Sequence, residues 1–344
     1  DAAGKPLVNI QTPSAAGVSR NTYTKFDVDA QGVTLNNDRG SNPWLAKGDA
    51  RVILNEVNSS NPSLLAGAIT VRGSRAEVIV ANPSGINVNG VSIENASRLT
   101  LTTGKAISNN GQLTGIQVGQ GGIVVEGAGL NASSADYTEL LSRTASIQAK
   151  ISAKQLAVTT GAQTLDYTSG TLSTQNATGA KPVLALDVSQ LGGMYAGKIS
   201  LLSTEAGIGV RNAGTLEANQ LVLTADGKLE NSGKISAAVT SIATVRGDIE
   251  NRGSINGRDF LMISAGNNAN LSGVGMKQDS AAMVLLAKAN INLAAGTQIG
   301  SNKAKSTLSL RAGRDINLAK QSSLAAQGAI SLNSDGKLSS TEAS

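Results

Sequence analysis

The apolar positions of this chain come in short bursts cut by turn-forming residues. In Glu77 to Gly104 (EVIVANPSGINVNGVSIENASRLTLTTG) the run Val78-Ile79-Val80-Ala81 has the continuous apolar character of a strand buried on both faces. Asn82-Pro83-Ser84-Gly85 breaks it, because Asn-Pro starts turns and Gly adopts positive φ without steric cost. Ile86 and Val88 then lie on one side of a short strand, and Asn89-Gly90 turns the chain again. Strand, turn, strand, turn and strand within 28 residues leave no room for a helix. Such a stretch suits a chain winding in short straight pieces around a column.

The turns recur. Asn-Pro occurs at residues 42–43, 61–62 and 82–83, at intervals of 19 and 21. Asn-x-Gly occurs at 212–214, 231–233 and 251–253, each between apolar positions: Val210 and Leu216, Leu229 and Ile235, Ile249 and Ile255. Short apolar strands begin near Ile199, Leu221, Ile242, Leu261, Met283, Leu308 and Ile330, 19–25 residues apart. A period of this length marks a solenoid, and the leucine-rich repeat that shares it lacks its signature here. The expected fold is all-β, a right-handed parallel β-helix with an N-terminal cap and short extra-helical β insertions. One coil cannot bury its own inward face, so neighbours must stack, at ~4.8 Å per coil. Crossover chirality makes the coil right-handed. About 21 residues per coil gives roughly fifteen coils. At the recurring corner Asn and Gly are expected to supply left-handed backbone, and stacked Asn side chains to form a ladder.

Two stretches depart from the period. Ser133 to Lys154 carries a capping-box pattern, Ser133-x-x-Asp136, which predicts a short helical turn. Residues 161–197 are rich in Gly, Thr and Ser, and predict a longer excursion, a hairpin outside the helix. Near the N-terminus, Phe26-x-Val28 and Val33-x-Leu35 read as short strands. Phe26 suits either a cap over the open end of the core or an ordinary core position.

Composition narrows the chemistry. There is no Cys and no His in 344 residues, and only 2% are aromatic. That excludes disulfides, thiol catalysis, a Ser-His-Asp triad and nearly every zinc site. No cofactor or metal is expected. The 29 basic and 24 acidic residues are scattered singly, so they read as a solvated surface and nucleic acid is not an expected partner. No apolar run reaches the ~18 residues of a membrane span. No leader pattern follows Asp1, which fits either a cytoplasmic protein or a mature form whose leader has been removed. A β-helical polysaccharide lyase or hydrolase would need clustered carboxylates and sugar-stacking aromatics. Asp27 and Asp29 are the nearest pair, but they alternate along a strand. The chain therefore reads as a non-enzyme. A free-standing structural or adhesive passenger is a further alternative.

The N-terminal 120 or so residues resemble the two-partner secretion domain of filamentous-haemagglutinin-like exoproteins. That family carries the motifs NPNL and NPNGI. Here Asn42-Pro43-Trp44-Leu45 and Asn82-Pro83-Ser84-Gly85-Ile86 stand in corresponding places, with Trp44 and Ser84 where the family usually has Asn. The flanking blocks at 17–37, 50–67 and 98–104 match in order. The block NPWLAKGDARVILNEV is most similar to the contact-dependent growth-inhibition branch of toxins. Adhesins and cytolysins sharing the same secretion route are the alternative.

The resemblance implies a secretion domain over 1–250, followed by continuing β-helical repeats at 251–344 that start a filament. It implies recognition in the periplasm by a TpsB-type outer-membrane barrel transporter with periplasmic POTRA domains. The exoprotein would cross unfolded, fold outside and stand on the surface of a Gram-negative cell as a monomer. Downstream regions would meet any target-cell receptor. The nine motif residues are the expected recognition site. Their Asn, Pro and Gly also suit plain turn-shaping, with Leu45 and Ile86 packed beneath. Some members of the family carry a cysteine pair where Val88 and Val91 stand, which implies a turn held here by packing.

Overall fold

A computed structural model describes residues 4–278 and 280–342 of the chain. All regular elements among them are strands, apart from a 3₁₀ turn at Pro43–Leu45. The chain divides into two compact units, one ending at Ala185 and the other beginning at Leu186.

The first unit is a parallel solenoid with three walls. One wall stacks Val18–Tyr23, Val52–Val57, Ala76–Ala81, Ala96–Thr102, Tyr137–Ser142 and Gln155–Thr160. A second stacks Ser63–Leu65, Ile86–Val88, Gly122–Val125 and Thr144–Ile147. The third begins with Leu7–Asn9 on Val33–Asn37 and continues through Ala68–Gly73 and Val91–Glu94. Register places Asn55, Val80, Leu101, Leu140 and Val158 in one inward row, and all five are fully buried.

The outer face of the first wall is buried as well. Lys105–Asn109, Gln112–Val118, Gln163–Asp166 and Leu172–Thr174 form an antiparallel sheet. It lays Ala106 and Leu113 against Val18, Leu54, Ile79 and Ala81. Ile116 and Val118 pack on Leu141, beside Leu165 and Tyr167. This cover explains the unbroken apolar run at 78–81, where both faces of the strand meet apolar neighbours. Beneath the same cover Arg98 pairs with the buried Glu139 at 2.6 Å, its guanidinium 4.8 Å from the Tyr137 ring and 5.6 Å from Tyr167. Burial pushes the Tyr167 phenol up. Phe26 is a core residue, with its ring centre 5.0 Å from that of Tyr23.

In the second unit Gly193–Ser203, Thr215–Ala225, Lys234–Thr244 and Ser254–Ala265 stack in parallel as one long wall, with a register shift between Ala237 and Val239 in the last pairing. Gly209–Asn212, Leu229–Asn231, Ile249–Asn251, Ala269–Leu271, Ile291–Leu293, Ile316–Leu318 and Leu338–Ser340 form the flank. Leu223, Ile242, Ile263, Leu285 and Leu310 share an inward row, one per coil.

Three expectations change. The helical turn at 133–154 does not form. Residues 137–153 instead make a full coil, with strands Tyr137–Ser142, Thr144–Ile147 and Lys150–Ala153. Parallel pairing of Tyr137–Leu141 with Arg98–Thr102 overrides the local capping signal. Asp136 caps no helix but bridges Arg75 at 2.8 Å and Lys154 at 3.0 Å. These two bonds hold its pKa at about 2. The excursion within 161–197 contains the expected hairpin, Gln163–Asp166 with Leu172–Thr174, but parallel strands resume at Leu184–Val188. Flank strands number four before residue 184 and eight from there on, among the described residues. That is fewer than the fifteen coils expected, because 105–118 and 163–174 leave the solenoid for the antiparallel sheet.

The third change concerns the Asn-x-Gly corner. The asparagine ladder is present: the Asn212 Nδ2 donates to Asn231 Oδ1 at 2.8 Å, and Asn231 Nδ2 to Asn251 Oδ1 at 2.7 Å. The left-handed backbone is not, since neither the Asn nor the Gly of these corners has a positive φ. Glycine serves close approach instead. A Cβ on Gly233 would lie 2.1 Å from the Gly214 carbonyl oxygen, and one on Gly253 2.2 Å from that of Gly233.

Candidate functional site: two Asn-Pro turns

Each motif sits at a corner of the first unit, and in each the asparagine side chain does the same work. The first follows the strand Val33–Asn37. Asn42 Oδ1 accepts from the Trp44 N–H at 3.0 Å, which fixes the Pro43–Leu45 turn. Its Nδ2 donates to the carbonyls of Ile10 at 3.0 Å and Asn36 at 2.8 Å, tying the turn to the N-terminal segment. Asn42 and Leu45 are buried, whereas Pro43 is exposed and Trp44 is 54% exposed. Just upstream, Ser41 Oγ and the Gly40 N–H donate to the Asp38 carboxylate and hold its pKa below the usual range.

The second motif joins Ala76–Ala81 to Ile86–Val88. Asn82 Oδ1 accepts from the Ser84 N–H at 2.9 Å. Its Nδ2 donates to the Asn61 carbonyl and to Ser63 Oγ, both at 3.0 Å, one coil away. The Gly85 N–H closes the turn onto the Asn82 carbonyl at 3.0 Å, with Gly85 at φ 119. Asn82 and Ile86 are fully buried, while Pro83 and Ser84 are half-buried. Ile86 pairs in register with Ser63 and Ile123. Val88 and Val91 are both buried, so apolar packing occupies that turn.

Both motifs thus bury the Asn and the terminal apolar residue and leave the middle of the turn outward. Among the described residues no hydrogen bond or ion pair joins one motif to the other. Beside Pro83 and Ser84 lies a cleft of about 460 Å³ that also touches Arg20, Ser59, Lys105 and Gln120. Arg20 is held at its edge by the buried Glu56. The partner of Asn82, the Asn61–Ser63 turn, was not singled out as functional from sequence. Its signal was present, since an Asn-Pro interval of 21 residues is one coil and puts Asn61 beside Asn82.

The family model described as TPS secretion domain matches residues 1–237. The chain belongs to this family. The TPS secretion domain match is supported by curated relatives. "Toxin CdiA" of Yersinia pestis is 49% identical over 271 residues, covering 75% of this chain and 8% of that protein. "tRNA nuclease CdiA-2" of Burkholderia pseudomallei is 44% identical, covering 68% of this chain and 8% of its own length. "16S rRNA endonuclease CdiA" of Enterobacter cloacae is 36% identical over 96% of this chain and 10% of its own length. The chain therefore spans about a tenth or less of the relatives it matches. Among solved structures, the filamentous hemagglutinin secretion domain aligns at TM-score 0.58 and 27% identity, over 96% of this chain and 95% of that one. The TPS secretion fold and its relation to CdiA-like exoproteins thus agree with the resemblance carried by the Asn-Pro blocks. TPS exoproteins are secreted, and the family pairs in general with outer-membrane transporters.

Proposed function

We propose that this chain starts the export of a much longer contact-dependent growth-inhibition toxin. In this reading the periplasmic POTRA domains of a partner outer-membrane barrel recognise residues 1–250. Residues 251–344 then begin the surface filament. The observation that carries the reading is the 49% identity to a protein named Toxin CdiA, within a chain matched to the secretion family over 1–237. Any catalytic toxin activity belongs outside this segment.

The burial pattern adds a constraint on the motifs. Asn42, Leu45, Asn82 and Ile86 are enclosed by the fold, so a partner reads their side chains only before folding. Pro43, Trp44, Pro83 and Ser84 are the positions a partner touches in either state. The test is surface display of the full exoprotein in cells carrying the barrel. Deleting residues 1–237 should abolish display, and undiminished display would overturn the proposal. An adhesin with the same route is the second reading, favoured by the likeness to the filamentous hemagglutinin secretion domain. Co-culture separates the two: growth arrest of neighbours supports the toxin, and binding without arrest supports the adhesin.

A further inference from the structure

The flank of the second unit carries an outward row whose chemistry changes along its length. Register aligns Arg211, Glu230, Glu250, Asn270, Asn292, Asn317 and Ser339, one per coil. The first three are charged, and the last four are neutral. From Glu250 onward the row is a continuous chain of hydrogen bonds. Asn270 Nδ2 donates to Glu250 Oε1 at 2.7 Å, Asn292 Nδ2 to Asn270 Oδ1 at 2.7 Å, Asn317 Nδ2 to Asn292 Oδ1 at 2.8 Å, and Ser339 Oγ to Asn317 Oδ1 at 2.6 Å. Alongside runs a groove of about 510 Å³, its apolar wall made by Ala294, Ala319 and the half-buried Leu318, while Leu271 and Leu293 turn into the core beneath it.

The ladder uses one amide hydrogen and one carbonyl lone pair of each asparagine. A primary amide has two of each, so each half-exposed rung keeps a donor and an acceptor side by side. Bonding in series polarises the row toward the Glu250 carboxylate, which strengthens the remaining carbonyl acceptors. The rungs repeat at ~4.8 Å, the separation of paired strands. We propose that this groove binds a linear, neutral polysaccharide lying across the coils. A vicinal pair of hydroxyls is the complement of one amide, and an extended hexose chain repeats at nearly the coil rise. Leu318, Ala294 and Ala319 offer apolar contact to the C–H face of the rings. Neutrality follows from the row itself, where charge is confined to the Glu250 and Arg252 end. A peptide is disfavoured, because the flank's interior strands are already paired on both sides and present no free backbone edge.

The test is calorimetric titration of the whole chain with cellohexaose, against glucose and against maltohexaose, whose chain coils. Binding of cellohexaose that weakens at least tenfold with glucose and with maltohexaose is the expected result. Asn292→Ala should weaken it at least tenfold. Ala294→Arg, which fills the groove and leaves the ladder intact, should do the same, so the test stands even if the first variant misfolds. No binding at millimolar cellohexaose, or binding indifferent to Ala294→Arg, overturns the proposal.

Discussion

Replacing Asn82 with alanine tests whether the second motif is a structural clasp. The change removes two hydrogen bonds donated by Nδ2, to Asn61 and Ser63, and one accepted by Oδ1 from Ser84. A buried neutral hydrogen bond contributes about 1 kcal/mol net, and an orphaned partner costs more. The partners here differ. Asn61 is exposed, so its carbonyl turns to water, and Ser84 is half-buried. Ser63 is 2% exposed and loses its partner outright. The sum is about 2–3 kcal/mol against local opening of that corner, with little effect on distant coils because a solenoid opens locally.

Hydrogen exchange reads this directly. The amides of Ser63 and Gly85 bond to the Gly85 and Asn82 carbonyls across the same corner. Their exchange should accelerate roughly 30- to 150-fold in Asn82→Ala, since each 1.4 kcal/mol is about tenfold. Amides of the Asn231 and Asn251 coils should be unchanged. Unchanged exchange at Ser63 and Gly85 would refute the clasp. If export also fails while protection is intact, the amide is read by the partner rather than by the fold.

Two further outcomes follow from the packing and the charges. Gly233→Ala should destabilise the second unit by about 2 kcal/mol or more, because its Cβ would run into the Gly214 carbonyl oxygen, backbone that has little freedom to move; urea denaturation comparing it with Gly119→Ala, whose Cβ makes only an ordinary contact at 3.6 Å and whose φ is not positive, checks this. Asp136 has a folded pKa of about 2 against 3.8, so its contribution is complete above about pH 4 and disappears as pH falls through 2; the stability difference between wild type and Asp136→Asn should therefore shrink over that window, and a difference constant from pH 6 to pH 2 would contradict the assignment.

The solenoid was legible because its signal is repetition. Asn-Pro at 43, 62 and 83 and Asn-x-Gly at 212, 231 and 251 fix the coil length without reference to any partner. Stretches whose structure depends on distant pairing were not legible. Ser133-x-x-Asp136 is a sound local helix signal, but Tyr137–Leu141 is a strand because Arg98–Thr102 lies beside it. The antiparallel cover was half visible. Residues 161–197 read as an excursion with a hairpin, which falls at 163–174, while 105–118 carried no signal that sets it apart, since an amphipathic strand has the same period in either setting.

The motif residues show a finer limit. Sequence placed Asn82 and Gly85 in one turn and gave the glycine its conformational reason, which φ 119 bears out. The same reasoning applied to Gly214, Gly233 and Gly253 gave the wrong cause, because those glycines sit at ordinary φ and are required by the coil beneath them. An Asn-Gly corner is thus two physical objects with one spelling. In the Asn-Pro turns the amide reaches back to fasten a loop, whereas in the Asn-x-Gly turns amides bond to each other and glycines let backbones touch. The distinction bears on recognition. A clasp asparagine is committed to the fold, so selection for binding in the folded state falls on the middle of the turn. There this chain departs from the family's usual asparagine, with a half-exposed Ser84 and an exposed Trp44. Substituting these two outward positions leaves every clasp hydrogen bond of the asparagine side chains intact. Under the proposed recognition, Trp44→Ala and Ser84→Ala should therefore alter export through the partner while amide exchange at Ser63 and Gly85 stays unchanged, and unaltered export in both would count against it.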